Sequence, residues 1–192
     1  VTPDEIARVA CHEHRASQKQ DELAAAVELV AAAQPKVLVE IGCDRGGTLW
    51  AWQQVCPQVY GITLADNSYA SGGSGQPLDT HGATVHIGDS HDPLTLKWLA
   101  GQLAGRPLDV LVLDGDHLYG GVWADWEMYG RLVRPGGMVL FHDIDSTGDL
   151  RCEVWKLWPK LVRMLPPDQV TEIRSADQPV YGWGAITMGG AP

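Results

Sequence analysis

Phenylalanine occurs once in this 192-residue chain, cysteine four times, and Lys and Arg together number 14 against 24 Asp and Glu, a formal net charge of −10. Each scarcity excludes something. Without a cluster of Lys or Arg, tight non-specific binding to DNA, RNA or an anionic membrane surface has no footing, because those partners reward basic patches. Cys11, Cys43, Cys56 and Cys152 show no C-x-x-C spacing. No basic-then-apolar segment opens the chain either, so a reduced, cytoplasmic setting is expected. The longest apolar runs, such as Leu23 to Ala33, are interrupted by Glu28 and fall short of the roughly 20 residues a membrane span needs. The protein therefore reads as soluble, with no nucleic-acid or membrane partner.

What is present suits one packed domain over residues 1–192, with N-terminal helices over 1–34 and a core over 35–192. Hydrophobic residues make up 45% and charged residues 20% of the chain, and a chain of this length buries about 70% of its unfolded surface. Eight tryptophans stand beside the single Phe. Trp50, Trp52, Trp98, Trp123, Trp126, Trp155 and Trp158 fall in expected helices, where packing is their default role. A homodimer is expected if the N-terminal helices leave apolar surface exposed.

Thr2-Pro3-Asp4-Glu5 has a capping hydroxyl, proline at the first helical position and a glutamate three residues on, so a helix starts there. Leu23, Val27 and Val30 recur at helical spacing and predict a second helix over Asp21 to Ala33, ended by Gln34-Pro35. Short apolar runs then alternate with helical segments, which is the α/β pattern. Strands are predicted at Val37 to Ile41, Val59 to Thr63, Thr84 to Ile87, Leu108 to Leu113 and Met138 to Phe141. Helices are predicted at Thr48 to Val55, Pro93 to Leu103, Val122 to Val133 and Cys152 to Met164. Each strand is almost continuously apolar, as parallel strands buried on both faces are. Val170 to Arg174 and Trp183 to Met188 would add two strands at one edge. The fold class is α/β: a Rossmann-like, doubly wound, mostly parallel sheet with helices on both faces and an antiparallel C-terminal edge. Asp66 to Gly82 is a long connection for such a domain, and such loops serve as lids, as binding loops or as simple mobile links.

Ligands of open α/β sheets bind at the carboxyl ends of the strands. The first turn there is Glu40-Ile41-Gly42-Cys43-Asp44-Arg45-Gly46-Gly47-Thr48. A dinucleotide fold wants G-x-G-x-x-G; this turn has Asp44 in place of the middle glycine, and Glu40 and Asp44 would repel phosphate. A ligand bearing an ammonium and a sulfonium matches the two acids better, which points to S-adenosylmethionine rather than NAD. An ordinary strand-to-helix turn without ligand is the alternative. After the third strand, Asp89 and Ser90 are placed to bond an adenine, or to cap the helix at Pro93.

Asp114-Gly115-Asp116-His117 follows one predicted strand and His142-Asp143-Ile144-Asp145 the next. A right-handed crossover sets those strand ends on one edge, which gathers Asp114, Asp116, His117, His142 and Asp143. Acids packed without Lys or Arg raise one another's pKa values, and a divalent cation is the simplest remedy. Asp114 and Asp143 with waters suit Mg²⁺, while ligation by His142 makes Mn²⁺, Fe²⁺ or Zn²⁺ more competitive. Alternatively, Asp114 and Asp116 cap the next helix and His142 is satisfied in the core. His12, His14, His81 and His86 are weaker candidates. His91 lies at the same edge.

Together these motifs resemble the class I S-adenosylmethionine-dependent methyltransferases, in the branch of small-molecule and sugar O-methyltransferases and cephalosporin-hydroxylase-like proteins. The resemblance covers about Gln20 to Met188 and is most specific at Leu113 to Val122, Leu132 to Gly137 and Phe141 to Ile144. It implies that Glu40, Gly42, Cys43, Asp44, Gly46 and Thr48 hold the cofactor's methionine part and that Gly88 to Ser90 lie near its adenine. It further implies Asp114 and Asp143 as metal ligands, and His117 as general base. Two positions depart from the family: Thr63 stands where an acid usually meets the ribose, with Asp66 as a substitute, and His142 stands where metal-dependent relatives often have an acid. The expected activity is metal-assisted O-methylation of a small hydroxylated molecule, a sugar or a natural product. A metal-dependent hydroxylase-like enzyme, an N-methyltransferase and a non-catalytic small-molecule-binding protein are the alternatives.

Overall fold

The computed structural model describes residues 1–64, 77–149, 151–178 and 180–189. Two helices open the chain, α1 (Pro3–His12) and α2 (Gln20–Ala32). Thr2 and Glu5 form the capping box that the sequence predicts: Glu5 N–H donates to Thr2 Oγ1 at 3.2 Å, and Thr2 N–H to Glu5 Oε2 at 3.3 Å.

An alternating run follows: β1 (Val37–Ile41), α3 (Gly47–Gln53), β2 (Gln58–Thr63), β3 (Thr84–Ile87), α4 (Pro93–Leu103), β4 (Leu108–Leu113), α5 (Tyr119–Tyr129), β5 (Val133–Asp145), α6 (Val154–Arg163), β6 (Val170–Ile173) and β7 (Tyr181–Thr187). The strands form one seven-stranded sheet in the order β3-β2-β1-β4-β5-β7-β6. The pairs from β3 through β5 are parallel, and β7 is antiparallel to both β5 and β6. This is the Rossmann-like sheet with an antiparallel C-terminal edge that the sequence predicts. Chain order reverses direction between β1 and β4, so a crevice opens outside their carboxyl ends.

Alternate side chains of β1, β2, β4, β5 and β7 feed two cores. The edge strands β3 and β6 hold no fully buried residue, so the expected burial on both faces fails for β3. Val39, Ile41, Leu111, Leu113 and Phe141 pack with Leu99 and Leu103 of α4, Val122 and Tyr129 of α5, and Leu157 and Leu161 of α6. Leu38, Val110, Val112, Leu140 and Trp183 pack on the other face with Leu23, Val27 and Val30 of α2 and with Leu49 and Trp52 of α3. Burial on both faces explains why these strands read as unbroken apolar runs.

Two expected boundaries move most. The helix predicted over Val122 to Val133 runs instead as Tyr119–Tyr129, followed by a single 3₁₀ turn at Gly130–Leu132. Arg134-Pro135-Gly136-Gly137 reads as a stop before a strand at Met138, yet β5 already begins at Val133. The pairing with β4 shifts register between Leu108 and Val110, and the extra residues form a bulge. Gly136 N–H donates to the Met188 carbonyl at 2.7 Å, Met188 N–H to the Gly137 carbonyl at 2.8 Å, and Arg134 Nε to Asp109 Oδ1 at 2.5 Å. Proline tolerates such a place because a bulge asks no ladder hydrogen bond of it.

The large apolar side chains left exposed among the described residues are Val1, Leu64, Ile87, Leu94, Leu118, Met164, Val180 and Tyr181. None lies on α1 or α2, so those helices lack the apolar face on which a homodimer was expected. No helix among the described residues is long and apolar enough to cross a membrane. Asp66 and most of the long connection after β2 lie outside the described residues.

Candidate active site

A cavity of about 780 Å³ opens at the switch point between β1 and β4, within the size range of small-molecule sites. Gly42, Cys43, Asp44 and Thr48 line it after β1, Thr63 after β2, Asp89, Ser90 and His91 after β3, Asp114, Asp116 and His117 after β4, and His142 and Asp143 at the end of β5. The topology thus gathers at one sheet edge most of the residues singled out from sequence.

Two of those residues do not face the cavity. Glu40 is one position before Ile41 on β1, so the strand's alternation turns it into the core shared with α3, where Trp52 Nε1 donates to Glu40 Oε1 at 2.8 Å. It is fully enclosed, and burial pushes its pKa up to about 8. A carboxylate in that state offers no charge to a ligand's ammonium, so Glu40 organises the turn from behind. Gly46 is likewise structural. Its φ is +92° and a β-carbon there would meet the Asp79 carbonyl oxygen at 1.8 Å. Gly42 has φ +91°, and its β-carbon would fall 2.0 Å from the Asp114 carbonyl oxygen, so this glycine allows the ends of β1 and β4 to close on each other.

Asp44 also holds a positive φ of 42°. Its Oδ2 accepts from Ser17 Oγ at 3.0 Å and Arg45 Nε at 3.2 Å. Thr63 is nearly buried, and its carbonyl accepts from Gly88 N–H at 2.8 Å. Capping of α4 falls to Asp92, which accepts from Leu94 N–H at 2.8 Å. Asp89 and Ser90 line the cavity, although Asp89 Oδ1 accepts from the His91 N–H at 2.9 Å and the Ser90 side chain bonds the Asp125 carboxyl.

The charged centre lies between β4 and β5. His142 Nδ1 is 3.0 Å from Asp114 Oδ1 and 3.0 Å from Asp143 Oδ1, and its ring lies 4.5 Å from that of Trp183. Burial opposes protonation of His142, but the two carboxylates outweigh it and raise its pKa well above the histidine range. His117 Nδ1 lies 2.9 Å from the other oxygen of Asp143, Oδ2. That hydrogen bond raises the His117 pKa against the opposing effect of burial. Burial would push the Asp143 carboxyl up, yet its bonds to His117 and His142 hold it below the usual carboxylate range. Asp143 adopts φ +63°, a strained backbone for a residue with a side chain, of the kind that concentrates at functional sites.

The capping alternative holds for neither acid: Leu118 is the N-cap of α5 and the helix has no side-chain cap bond, while Asp116 Oδ1 accepts from Leu118 N–H at 2.8 Å in the turn ahead of it. Asp114 instead binds Gln18, whose Nε2 donates to Asp114 Oδ2 at 2.7 Å. Asp114, His142 and Asp143 offer three ligand atoms within 4.8 Å of one another. Two carboxylates and an imidazole are a donor set that divalent cations accept. Gln18 Oε1 is also buried at the cavity with no hydrogen-bond partner among the described residues. The residues present therefore fit a divalent cation.

Sequence reasoning missed the cavity's outer wall. Arg15, Ala16, Ser17 and Gln18 cross it from the link between α1 and α2, and Arg151 reaches it from beyond β5. Ser17-Gln18-Lys19 looks like a helix boundary in sequence, and no spacing rule connects it to a residue at position 114. His14, a weak candidate, stacks on Trp50 at 4.6 Å and meets the His81 ring edge-on at 4.5 Å. His86 stacks on Trp98 at 4.8 Å.

Comparison with known proteins places this geometry. Demethylmacrocin O-methyltransferase of Streptomyces fradiae is 29% identical over 101 residues, which cover 52% of this chain but 23% of that protein. The chain thus spans about a quarter of the curated relative's length. MycE methyltransferase from the mycinamycin biosynthetic pathway, solved in complex with Mg and SAH, superposes with a TM-score of 0.69 at 17% identity, over 100% of this chain and 57% of MycE. TomG, an O-methyltransferase from Streptomyces achromogenes involved in tomaymycin synthesis and solved with SAM, has a TM-score of 0.62 at 16% identity, over 98% of this chain and 90% of its own. At these identities the solved structures establish the shared fold. The methyltransferase-domain family model matches residues 39–144, from β1 to the end of β5, and the chain belongs to that family.

Proposed function

We propose that this chain is an S-adenosylmethionine-dependent O-methyltransferase domain, assisted by a divalent cation of the Mg²⁺ type, that acts on a small hydroxylated acceptor of the natural-product or sugar kind. The observation that carries this reading is the pairing of His117 with Asp143 beside the Asp114, His142 and Asp143 donor group, in one cavity at the switch point. Demethylmacrocin O-methyltransferase and the Mg-bound MycE support the acceptor class and the cation by likeness.

When bound, S-adenosylmethionine supplies an electrophilic sulfonium methyl. A cation held by Asp114, His142 and Asp143 supplies charge that favours the ionised form of an acceptor hydroxyl. The chain's own residues do the remainder. Gly42, Cys43, Asp44 and Thr48 form the wall for the methionine part, Thr63 stands at the ribose position, and Asp89 and Ser90 stand at the adenine. Asp143 Oδ2 accepts from His117 Nδ1–H, which orients the ring and leaves Nε2 free to take the acceptor's proton. As the imidazolium forms, Asp143 stabilises it. Enclosure in the cavity aligns nucleophile and methyl, and that alignment supplies much of the gain in rate.

Calorimetry with S-adenosylmethionine, in Mg²⁺ and after chelation, tests the reading. Cofactor binding is expected in both conditions, and methyl transfer to a hydroxylated acceptor is expected only with the cation restored. No cofactor binding in either condition would remove the methyltransferase reading. Transfer undiminished by chelation would remove the cation alone.

A further inference from the structure

A second donor group lies against the first. A ring nitrogen of His117, a carboxylate oxygen of Asp143 and Cys152 Sγ all fall within 4.8 Å of one another. Asp143 belongs to both groups and divides its oxygens between them. Oδ1 faces His142 at 3.0 Å; Oδ2 faces His117 Nδ1 at 2.9 Å and Cys152 Sγ at 3.7 Å.

The backbone builds this arrangement. Glu153 N–H donates to the His117 carbonyl at 2.6 Å, which ties the segment holding Cys152 to the segment holding His117. Ser146 Oγ lies 3.1 Å from the Asp143 carbonyl oxygen and 2.8 Å from Cys152 Sγ, so the turn after β5 holds the thiol in place. His117 and Asp143 line the cavity, and Cys152, with 4% of its surface exposed, lies behind them. An incoming cation meets the imidazole and carboxylate from the cavity and finds sulfur at the rear.

The two groups differ in softness. Two carboxylates with one imidazole accept Mg²⁺ as well as Mn²⁺, Fe²⁺ or Zn²⁺, whereas the second group adds a thiolate, which favours Zn²⁺ or Co²⁺ and for which Mg²⁺ has little use. We propose that His117, Asp143 and Cys152 form a second cation site, selective for thiophilic divalent metals such as Zn²⁺, which captures His117 when filled. Binding releases the thiol proton to solvent, since the thiolate is the ligand. With its Nδ1 on the metal, His117 no longer donates to Asp143, so a filled site inhibits methyl transfer. That consequence rests on the reading of His117 as the base; the metal site itself does not.

Cobalt(II) added to the whole chain is the direct probe. A thiolate-to-cobalt charge-transfer band in the near ultraviolet is expected, bleached by Zn²⁺ and untouched by excess Mg²⁺. Cys152→Ser should lose the band, and Asp114→Asn should keep it. His117→Gln, at a position open to the cavity, should weaken Co²⁺ binding by about tenfold or more, a second arm should the serine variant fail to fold. No band in the parent chain overturns the proposal, and so does a band that persists in Cys152→Ser. In the turnover assay, Zn²⁺ should inhibit the parent chain at least about tenfold more strongly than Cys152→Ser. A band without inhibition would keep the metal site and remove His117 as the base.

Discussion

Gln18 Nε2 donates to Asp114 Oδ2 at 2.7 Å across 96 residues of sequence. This contact fixes one end of the carboxylate whose other oxygen faces His142, so a residue of the link between α1 and α2 sets the orientation of a proposed cation ligand. Gln18→Leu fills similar space but leaves Asp114 Oδ2 buried without its donor. Stability should fall by about 1–3 kcal/mol in chemical unfolding, and Mg²⁺ affinity by about 10- to 100-fold in calorimetric titration. Unchanged values in both would show that Asp114 needs no help from Gln18.

His117 and Asp143 should separate in kinetics. His117→Gln removes the nitrogen proposed to accept the proton, and kcat should drop by about 10²- to 10⁴-fold while S-adenosylmethionine affinity stays within about twofold, because the proposed reading sets this residue against the acceptor rather than the cofactor. Asp143→Asn should lower kcat as well and weaken the cation, since Asp143 serves both. An equal loss of cofactor affinity in His117→Gln would place that side chain against the cofactor instead.

The elements of the sheet and most of the cavity lining were legible in sequence for one reason: strands buried on both faces leave apolar runs, and the residues that end them must lie at one edge. β1 and β4 match their predicted bounds, and Asp114, His117, His142 and Asp143 meet as the crossover requires. Glu40 was misplaced because a strand's end gives two possible faces; only the packing of Trp52 shows which one the side chain takes. The β5 bulge was missed because Pro and Gly punctuate bulges as well as turns. Gln18 and Arg151 were beyond reach, since contacts across the fold between unpatterned segments have no local signal.

Lys19 should behave as a latch on the C-terminal edge. Its ammonium lies 3.1 Å from Glu22 Oε1 and also bonds the carbonyls of Gln178 and Val180; Glu22 is 1% exposed, and its Oε1 accepts from Ser175 N–H at 2.9 Å. Lys19→Met strands a buried carboxylate and should cost about 3–5 kcal/mol. Hydrogen exchange should accelerate in β6 and β7 ahead of β1 and β4. Uniform acceleration across the sheet would mean that the ion pair supports the whole domain rather than its edge.

Glu40 predicts how stability depends on pH. Burial raises its pKa from 4.5 to about 8, so between those values the folded protein keeps a proton that the unfolded chain has released. The stabilising difference from this group is full below pH 4.5 and is lost progressively as pH rises to about 8, at up to about 1.4 kcal/mol per pH unit. Glu40→Gln cannot ionise, and its side-chain oxygen can still accept from Trp52. Urea unfolding at about pH 5.5 and about pH 7.5 should therefore show a fall in stability for the parent chain that is about 2–3 kcal/mol larger than the fall for the variant. Parallel pH dependence in the two proteins would mean that Glu40 is ionised in the fold, and a charged carboxylate behind the β1 turn would restore it as a long-range attractor for the cofactor's ammonium.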